Sequence, residues 1–501
     1  MQHVDFKPRG VCSRMIHIDL SDDGKTIEDV SFDGGCSGNL AAIGKLVSGR
    51  PTEEVAQILK GNTCGPRKTS CADQFSQALL QAMEQIQAAG TVQAELVRPV
   101  RGPKLSRRGF FKAAATTAAA GAAVTILSGC THGAEKGADT SSPVVVDEGS
   151  APSVTDDYQY DDSVMAPAHE WSLPLGNVLH AAEGTWIPVA TAGSSATPMV
   201  VASALSLESG KLLEVVSAPK GQATTTVIYD VACSDSVYAW VELDTTTRSW
   251  TLYGSRFSAG ALTGDTKTLW QATSDYDPAP IACSGERVLW QVQPSLSGTK
   301  TAESSYCYLW HAGSDDATAV VESPGRFATK PNVSGDCAIL TPRVRASEGT
   351  YYGVTAYSLS DDLATKIDQL VMPAGVKPFR ATRVGERFLV SVEASYSTGG
   401  LLGQMGTYMG TESAGFVKLN REPSEVGCGK GDKFVIKSRS SYFVVDLANK
   451  TYGSLDSADR CVDYGEFPAR VGDCSTFVTF STVKNADTGY PDSVTVRTFQ
   501  L

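Results

Sequence analysis

Four cysteines lie close together near the start of the chain: Cys12 in GVCSR, Cys36 in GGCSGN, Cys64 in NTCGPR and Cys71 in TSCAD. Four thiolates can close a tetrahedral zinc site. The same four thiols could instead carry redox chemistry, or serve as small buried hydrophobes. Their spacing is not the compact CxxC pairing, so spacing alone leaves the three readings open. Glycines beside them let the backbone turn tightly. Cys36 and Cys71 both fall near predicted helix starts, where a thiolate is favoured.

The elements that must position these thiols read as a mixed α/β segment over residues 1 to about 95. VCSRMIHIDLS (11–21) and KTIEDVSFDG (25–34) alternate apolar and polar residues, and Asp22-Asp23-Gly24 between them is a hairpin signal. Leu40 to Val47 predicts a short helix and PTEEVAQILKG (51–61) another, with Pro51 at its start, acids in its first turn and Gly61 past its end. SCADQFSQALLQAMEQIQAAG (70–90) is the strongest helix signal. Ser70 can cap it, Asp73 stands three residues on, and Phe75, Leu79, Met83 and Ile86 form one apolar stripe.

The run from GVCSR through GGCSGN to TCGPRKTSCADQ resembles the small TSCPD domain, which occurs alone and at the C-terminal end of vitamin B12-dependent ribonucleotide reductases. The resemblance covers roughly residues 5 to 88 and takes in all four cysteines, with Ala72 where the family has Pro. It implies zinc held by Cys12, Cys36, Cys64 and Cys71, a link to deoxyribonucleotide and hence DNA synthesis, and a ribonucleotide reductase or a nucleotide as partner. It does not carry catalysis over, because the reductase barrel, its active-site thiols and its cobalamin site have no counterpart here. A second expectation is enzymatic: the chain acts in, or as an accessory to, ribonucleoside-diphosphate reduction, with the N-terminal cysteines as redox thiols.

From Leu96 to Lys112 there are six Lys or Arg and no acid, and from Ala113 to Cys130 there is no charge. SRRGFFK (106–112), with Arg107 and Arg108 as the pair, resembles the twin-arginine export motif. LSGC (127–130) resembles a lipobox whose cysteine, Cys130, becomes lipidated after cleavage. The 15 residues from Ala113 to Ile126 and Leu127 would span about 22 Å as a helix, short of the roughly 30 Å hydrocarbon core. That suits a signal segment over 96–130 better than a permanent span. Basic residues ahead of it hold the upstream side in the cytoplasm. The sequence therefore predicts a cytoplasmic first domain, engagement of the twin-arginine export machinery, and residues 131–501 exported and held on the outer face of the membrane through Cys130. Met83, 24 residues before Arg107, could begin a separate exported protein, so two joined genes are a further reading.

Residues 131–165 have linker composition, rich in Gly, Ser, Thr, Pro and Asp. Residues 166–501 are rich in Val, Thr, Ser, Tyr and Trp. A turn followed by an apolar strand recurs there: GTWIPVAT (184–191), SDSVYAWVEL (234–243), GERVLWQV (285–292), GDCAILTP (335–342), GERFLVSV (385–392), GDKFVIKS (431–438) and GDCSTFVTF (472–480). A period near 40–50 residues with several strands per unit is the mark of a β-propeller. The fold class expected is thus multidomain, a small α+β domain followed by an all-β propeller of about seven blades. SVTVRTFQL (493–501) is placed to complete the blade begun near Trp171.

The net charge of −12 argues against a nucleic-acid binder as a whole, since phosphate neutralisation needs a basic surface. No GxSxG, HExxH, Walker loop or dinucleotide fingerprint is present. The propeller region has three histidines, His169, His180 and His311, and His169 beside Glu170 reads as one of a surface pair rather than a metal ligand. Trp186, Trp240, Trp250, Trp270, Trp290 and Trp310 read as blade-packing aromatics. Seven cysteines fall there, and Cys461 with Cys474 is a disulfide candidate by proximity. No catalytic set stands out, and the ring is expected to bind a ligand or protein.

Overall fold

The computed structural model describes the chain except residues 1, 35–36, 65–68, 91–141, 145, 148, 163–164, 194–197, 398, 440 and 463–464. The sequence expectations for Cys36, Arg107, Arg108 and Cys130 lie outside the described residues, as does the side chain of Ile86. The chain divides into two compact units, Met1–Gly129 and Cys130–Leu501.

In the first unit three antiparallel strands form one sheet: β1 (Gln2–Phe6), β2 (Ser13–Leu20) and β3 (Ile27–Gly34), with β2 central. The β2–β3 hairpin turns where Asp22-Asp23-Gly24 stands, and Gly24 takes φ of +70°. The first strand was not read from the sequence, because QHVDF is too short for its alternation to stand out. Helices α1 (Ser37–Val47), α2 (Thr52–Leu59) and α3 (Cys71–Gly90) follow. Ile16, Ile18 and Leu20 of β2 meet Phe75, Ala78 and Leu79 of α3 in one apolar core. Gly44 lets α1 approach β3 closely, since a Cβ there would sit 2.9 Å from the Val30 carbonyl.

The start of α3 is fixed by polar contacts. Ser70 Oγ accepts the Asp73 N–H at 3.1 Å, as a cap does. Asp73 does not complete a reciprocal capping box. Its carboxylate accepts instead from the Thr69 hydroxyl, from the Gly61 N–H at 2.7 Å and from Gln77 Nε2 at 2.8 Å. The Thr69 bond above all holds the Asp73 carboxyl below the usual range. Asp73 thereby ties the end of α2 to the turn that leads into α3.

The second unit contains seven sheets, each built on a four-strand antiparallel meander. The recurring sequence segments form the second strand of every blade: Trp186–Ala192, Val237–Asp244, Arg287–Val292, Cys337–Leu340, Arg387–Val392, Lys433–Ser438 and Thr476–Lys484. These strands read as nearly continuous apolar runs because a blade lies against each face. Val237 through Leu243 are all buried. The glycine that opens most of the repeats supplies the left-handed turn into the strand, with φ of +54° to +60° at Gly285, Gly335, Gly385 and Gly431.

Adjacent blades bury apolar side chains against each other at every junction. Tyr238 and Trp240 of the second blade pack on Ala202 and Ala204 of the first. Trp290 and Trp310 of the third pack on Val237 and Trp250 of the second. The remaining junctions follow the same pattern. The last is made by Leu173, Val478, Phe480, Val494 and Val496 of the seventh blade against Ile187 and Leu205 of the first. There Pro491–Gln500 pairs with Thr476–Lys484 on one side and with His169–Pro174 on the other, with Val496 opposite Trp171. A strand from before the first blade thus forms the outer edge of the last, and the ring closes. Trp240, Trp250, Trp290 and Trp310 are buried, as blade-packing aromatics should be.

The linker expected over 131–165 is corrected for the described residues from 142 to 162. Val144 is buried against the fourth and fifth blades and its N–H bonds the Val371 carbonyl at 2.9 Å. Val154 is buried between the fifth and sixth blades. Gln159–Tyr160 adds a parallel strand to Thr451–Leu455. Composition missed this strap because two buried valines and a few backbone hydrogen bonds suffice to hold it.

A buried polar cluster joins the sixth and seventh blades. Arg497 Nε donates to Glu466 Oε1 at 2.7 Å, and Thr479 Oγ1 donates to the same oxygen at 3.1 Å. The Glu466 carbonyl accepts from Tyr442 Oη at 3.0 Å and from the buried Lys437. Lys437 Nζ also lies 4.1 Å from the Phe467 ring centroid. Each charge has a partner, which is the condition for burying it without a large penalty.

Candidate functional site

In the first unit, the strand pairing and α3 bring cysteines toward one end of the sheet. Cys12 immediately precedes β2, and Ser13 pairs with Gly34 at the end of β3. Gly34 has φ of +80°, and a Cβ there would lie 3.2 Å from the Cys12 carbonyl. Ser13 is buried, and its hydroxyl donates to Cys71 Sγ, the first residue of α3, at 3.1 Å. Cys12 and Cys64 are exposed and Cys71 is half-buried. The sulfurs of Cys12, Cys64 and Cys71 do not all lie within 4.8 Å of one another among the described residues. The donor types fit a zinc ion, and two of the three side chains lie at the surface, where they can turn.

The second site is the central channel of the ring, a cavity of about 900 Å³ lined by the inner strands of the blades. His180 and Asp230 meet there from the first and second blades, Nδ1 to Oδ1 at 2.8 Å. Lys330 Nζ stands 4.0 Å from the other oxygen of Asp230. Burial opposes the Asp230 charge, but the His180 hydrogen bond and the nearby cation outweigh it and hold this carboxyl below its usual range. From the adjacent seventh blade Arg470 donates to the carbonyls of Ala182 and Gly184, and its Nε has no partner among the described residues. Burial pushes the Glu183 carboxyl up, against hydrogen bonds from Ser284 and the Gly285 N–H.

Several of these groups clamp neighbouring blades. Asp235 accepts from the Thr185 N–H at 2.7 Å. Asp473 accepts from Lys430 Nζ at 2.6 Å and from the Gly385 N–H at 3.1 Å. Cys474 lies beside Cys428, on strands paired in parallel, and its N–H bonds the Gly429 carbonyl at 2.8 Å. The Cys428 thiol is pushed well up by burial. Cys474 is held below the usual thiol range, first by the hydrogen bond from Cys428 and then by Arg470. The sequence proximity of Cys461 to Cys474 is therefore misleading: Cys461 bridges Val483, and it is Cys428 that faces Cys474. His169 stacks on Trp171 with ring centroids 5.5 Å apart, while His311 pairs with Asp362 at 2.9 Å.

The channel can hold polar groups of either sign and offers one imidazole–carboxylate dyad. No sequence signal marked His180, since its partner stands fifty residues away and only ring geometry joins them.

The TSCPD domain family matches residues 2–83. No curated protein matches the chain. Among solved structures, the β-propeller domain of the Trilobed protease from Pyrococcus furiosus is similar at 10% identity, over 52% of this chain and 79% of that one, with a TM-score of 0.35. A prolyl endopeptidase is similar at 13% identity, over 68% of this chain and 50% of that one, with a TM-score of 0.42. The Pyrococcus horikoshii acylaminoacyl peptidase is similar at 10% identity, over 65% of this chain and 50% of that one, with a TM-score of 0.41. The chain spans about half the length of these two kinds of peptidase.

The position of Asp230 predicts a pH dependence. A carboxyl whose folded pKa is depressed contributes stability above its unfolded pKa, near 3.9, and loses it as pH falls through the folded value. Asp230→Asn should lower the stability of the ring by about 2 kcal/mol at neutral pH, the scale of a hydrogen bond to a charged group. Urea midpoints of parent and variant should converge below about pH 3.9. A constant difference across that range would contradict the assignment.

Proposed function

We propose that the chain combines two activities of binding. Residues 2–83 are a cytoplasmic zinc-binding module related to the small domain of ribonucleotide reductases, with Cys12, Cys36, Cys64 and Cys71 as ligands. The ring is an exported module, anchored on the outer face through a lipidated Cys130, whose channel takes a polar ligand or a segment of a partner protein. The observation that carries the first half is the TSCPD match at 2–83 together with the hydrogen bond from Ser13 to Cys71. A bound zinc would supply structural closure, tying the loop before α3 to the end of the hairpin. Residues Ser13 and Ser70 hold the start of α3 in place whether or not metal is bound. The export half is supported by the order of SRRGFFK, the uncharged stretch and LSGC. No helix among the described residues is long and apolar enough to cross a membrane.

The zinc reading is tested by loading the full chain with Co2+. The parent should show the intense sulfur-to-cobalt charge-transfer absorption of a thiolate site, and a Cys64→Ser, Cys71→Ser variant should lose it. A dithiol-dependent assay with ribonucleoside diphosphates should show no turnover in either. Absence of the absorption in the parent removes the zinc reading, and turnover that depends on these cysteines replaces it with an oxidoreductase.

Tagging both ends in the native host tests the topology. The N-terminal tag should appear on a small soluble product and the C-terminal tag on a larger, membrane-associated one. One full-length species in a single compartment would overturn it.

A further inference from the structure

The face of the first unit's sheet opposite the helices carries an unusual set of side chains. Ile16, Ile18 and Leu20 point into the core, so the alternate residues of β2, His17 and Asp19, lie on the other face. β1 places His3 and Asp5 beside them, with His3 opposite Asp19 and Asp5 opposite His17. β3 adds Asp33. His3 Nε2 lies 3.1 Å from Asp5 Oδ1, and His17 Nδ1 lies 2.6 Å from the same oxygen. The remaining nitrogen of each ring faces another carboxylate: His3 Nδ1 meets Asp19 at 2.6 Å, and His17 Nε2 meets Asp33 at 3.5 Å. The two rings are nearly parallel, 17° apart, with centroids separated by 6.3 Å.

We propose that His3, Asp5 and His17 form a second metal site, for a divalent transition ion of the zinc class, separate from the cysteines. The donor atoms His3 Nε2, Asp5 Oδ1 and His17 Nδ1 all lie within 4.8 Å of one another. Tetrahedral bonds of about 2.0–2.1 Å would set such donors roughly 3.3–3.4 Å apart. The observed 3.1 and 2.6 Å therefore require the two histidine–Asp5 pairs to open by about 0.3 and 0.8 Å. His3 and Asp5 are each more than half exposed, so that movement disturbs no packing.

The outer carboxylates give each ring an acceptor on both nitrogens. A neutral imidazole has one N–H and can satisfy only one of them; the other is met by a second ring proton or by a metal ion. A metal ion replaces the missing proton on the inner nitrogen, while Asp19 and Asp33 accept from the outer ones. Carboxylates placed behind metal-bound histidines fix the ring orientation and raise ligand basicity. Two imidazoles and one carboxylate leave at least one coordination position open to water. Imidazole and carboxylate donors select zinc-class ions over the hard Ca2+ and Mg2+, which take oxygen alone.

The test is a calorimetric titration of the metal-free full chain with Zn2+. It uses the parent, a His3→Ala, His17→Ala variant, and the Cys12, Cys36, Cys64 and Cys71 to Ser variant. The histidine variant should bind one Zn2+ fewer than the parent. The cysteine variant should keep the histidine-dependent ion and, loaded with Co2+, show only the weak absorption of nitrogen and oxygen ligation. Asp19→Asn should weaken that ion at least tenfold, the scale of an outer-carboxylate change. Equal stoichiometry and affinity in the parent and the histidine variant would overturn the proposal. The exposed histidines can be removed without touching the core, so this comparison stands even if the cysteine variant does not fold. Loss of the charge-transfer absorption alone would bear on the cysteine site and leave this one intact.

Discussion

The closure of the ring is the constraint on which the larger unit depends. Every blade buries both faces, so each needs two neighbours, and the last blade, which packs on the first, is completed by a strand from before the first blade. His169–Pro174 does not belong to its own local sequence neighbourhood; it completes the sheet of Thr476–Lys484 and Pro491–Gln500. Without it Val494 and Val496 would lose the pairing with Leu173 and Trp171, and the junction with Ile187 and Leu205 of the first blade would lose the Leu173 side chain. The buried pair of Glu466 and Arg497 lies in this same last blade, with Lys437 of the sixth blade bonded to the Glu466 carbonyl. Closure also completes the channel, because Arg470 of the seventh blade and the Gly184 carbonyl of the first meet only when the ring is closed.

The two units obey different logics. In the first, a small sheet and three helices make a modest core, and the chemistry lies at its edges: cysteines at one end of the sheet, histidines and carboxylates on its open face. In the second, a large β structure holds its polar groups inward. Some of the channel groups are occupied in clamping blades together, Asp473 to Gly385 and Arg470 to Gly184 among them. His180 and Arg470 each keep a nitrogen outside those clamps, His180 Nε2 and Arg470 Nε.

Local pattern made much of this legible. The hairpin at Asp22-Asp23-Gly24, the helix begun at Cys71 and the seven repeated second strands all announce themselves within ten or twenty residues. The matching of SVTVRTFQL to the region of Trp171 also followed from the need to hide sheet edges. What stayed hidden depends on distance along the chain. The β1 strand is too short to show alternation, and the strap over 142–162 hides in polar composition. The pairing of Cys474 with Cys428 rather than Cys461 follows from a parallel contact that no spacing rule signals. The same holds for His3, Asp5 and His17, whose significance appears only once β1 and β2 are laid side by side.

Hydrogen exchange of the full chain, resolved by peptide, tests the closed ring most directly. Amides of residues 169–174 should exchange as slowly as those of 187–191 in the interior of the first blade, and should be released together with 491–500 as denaturant is added. Rapid exchange of 169–174 while 491–500 and 187–191 stay protected would show that the strand does not close the ring, and would contradict the account.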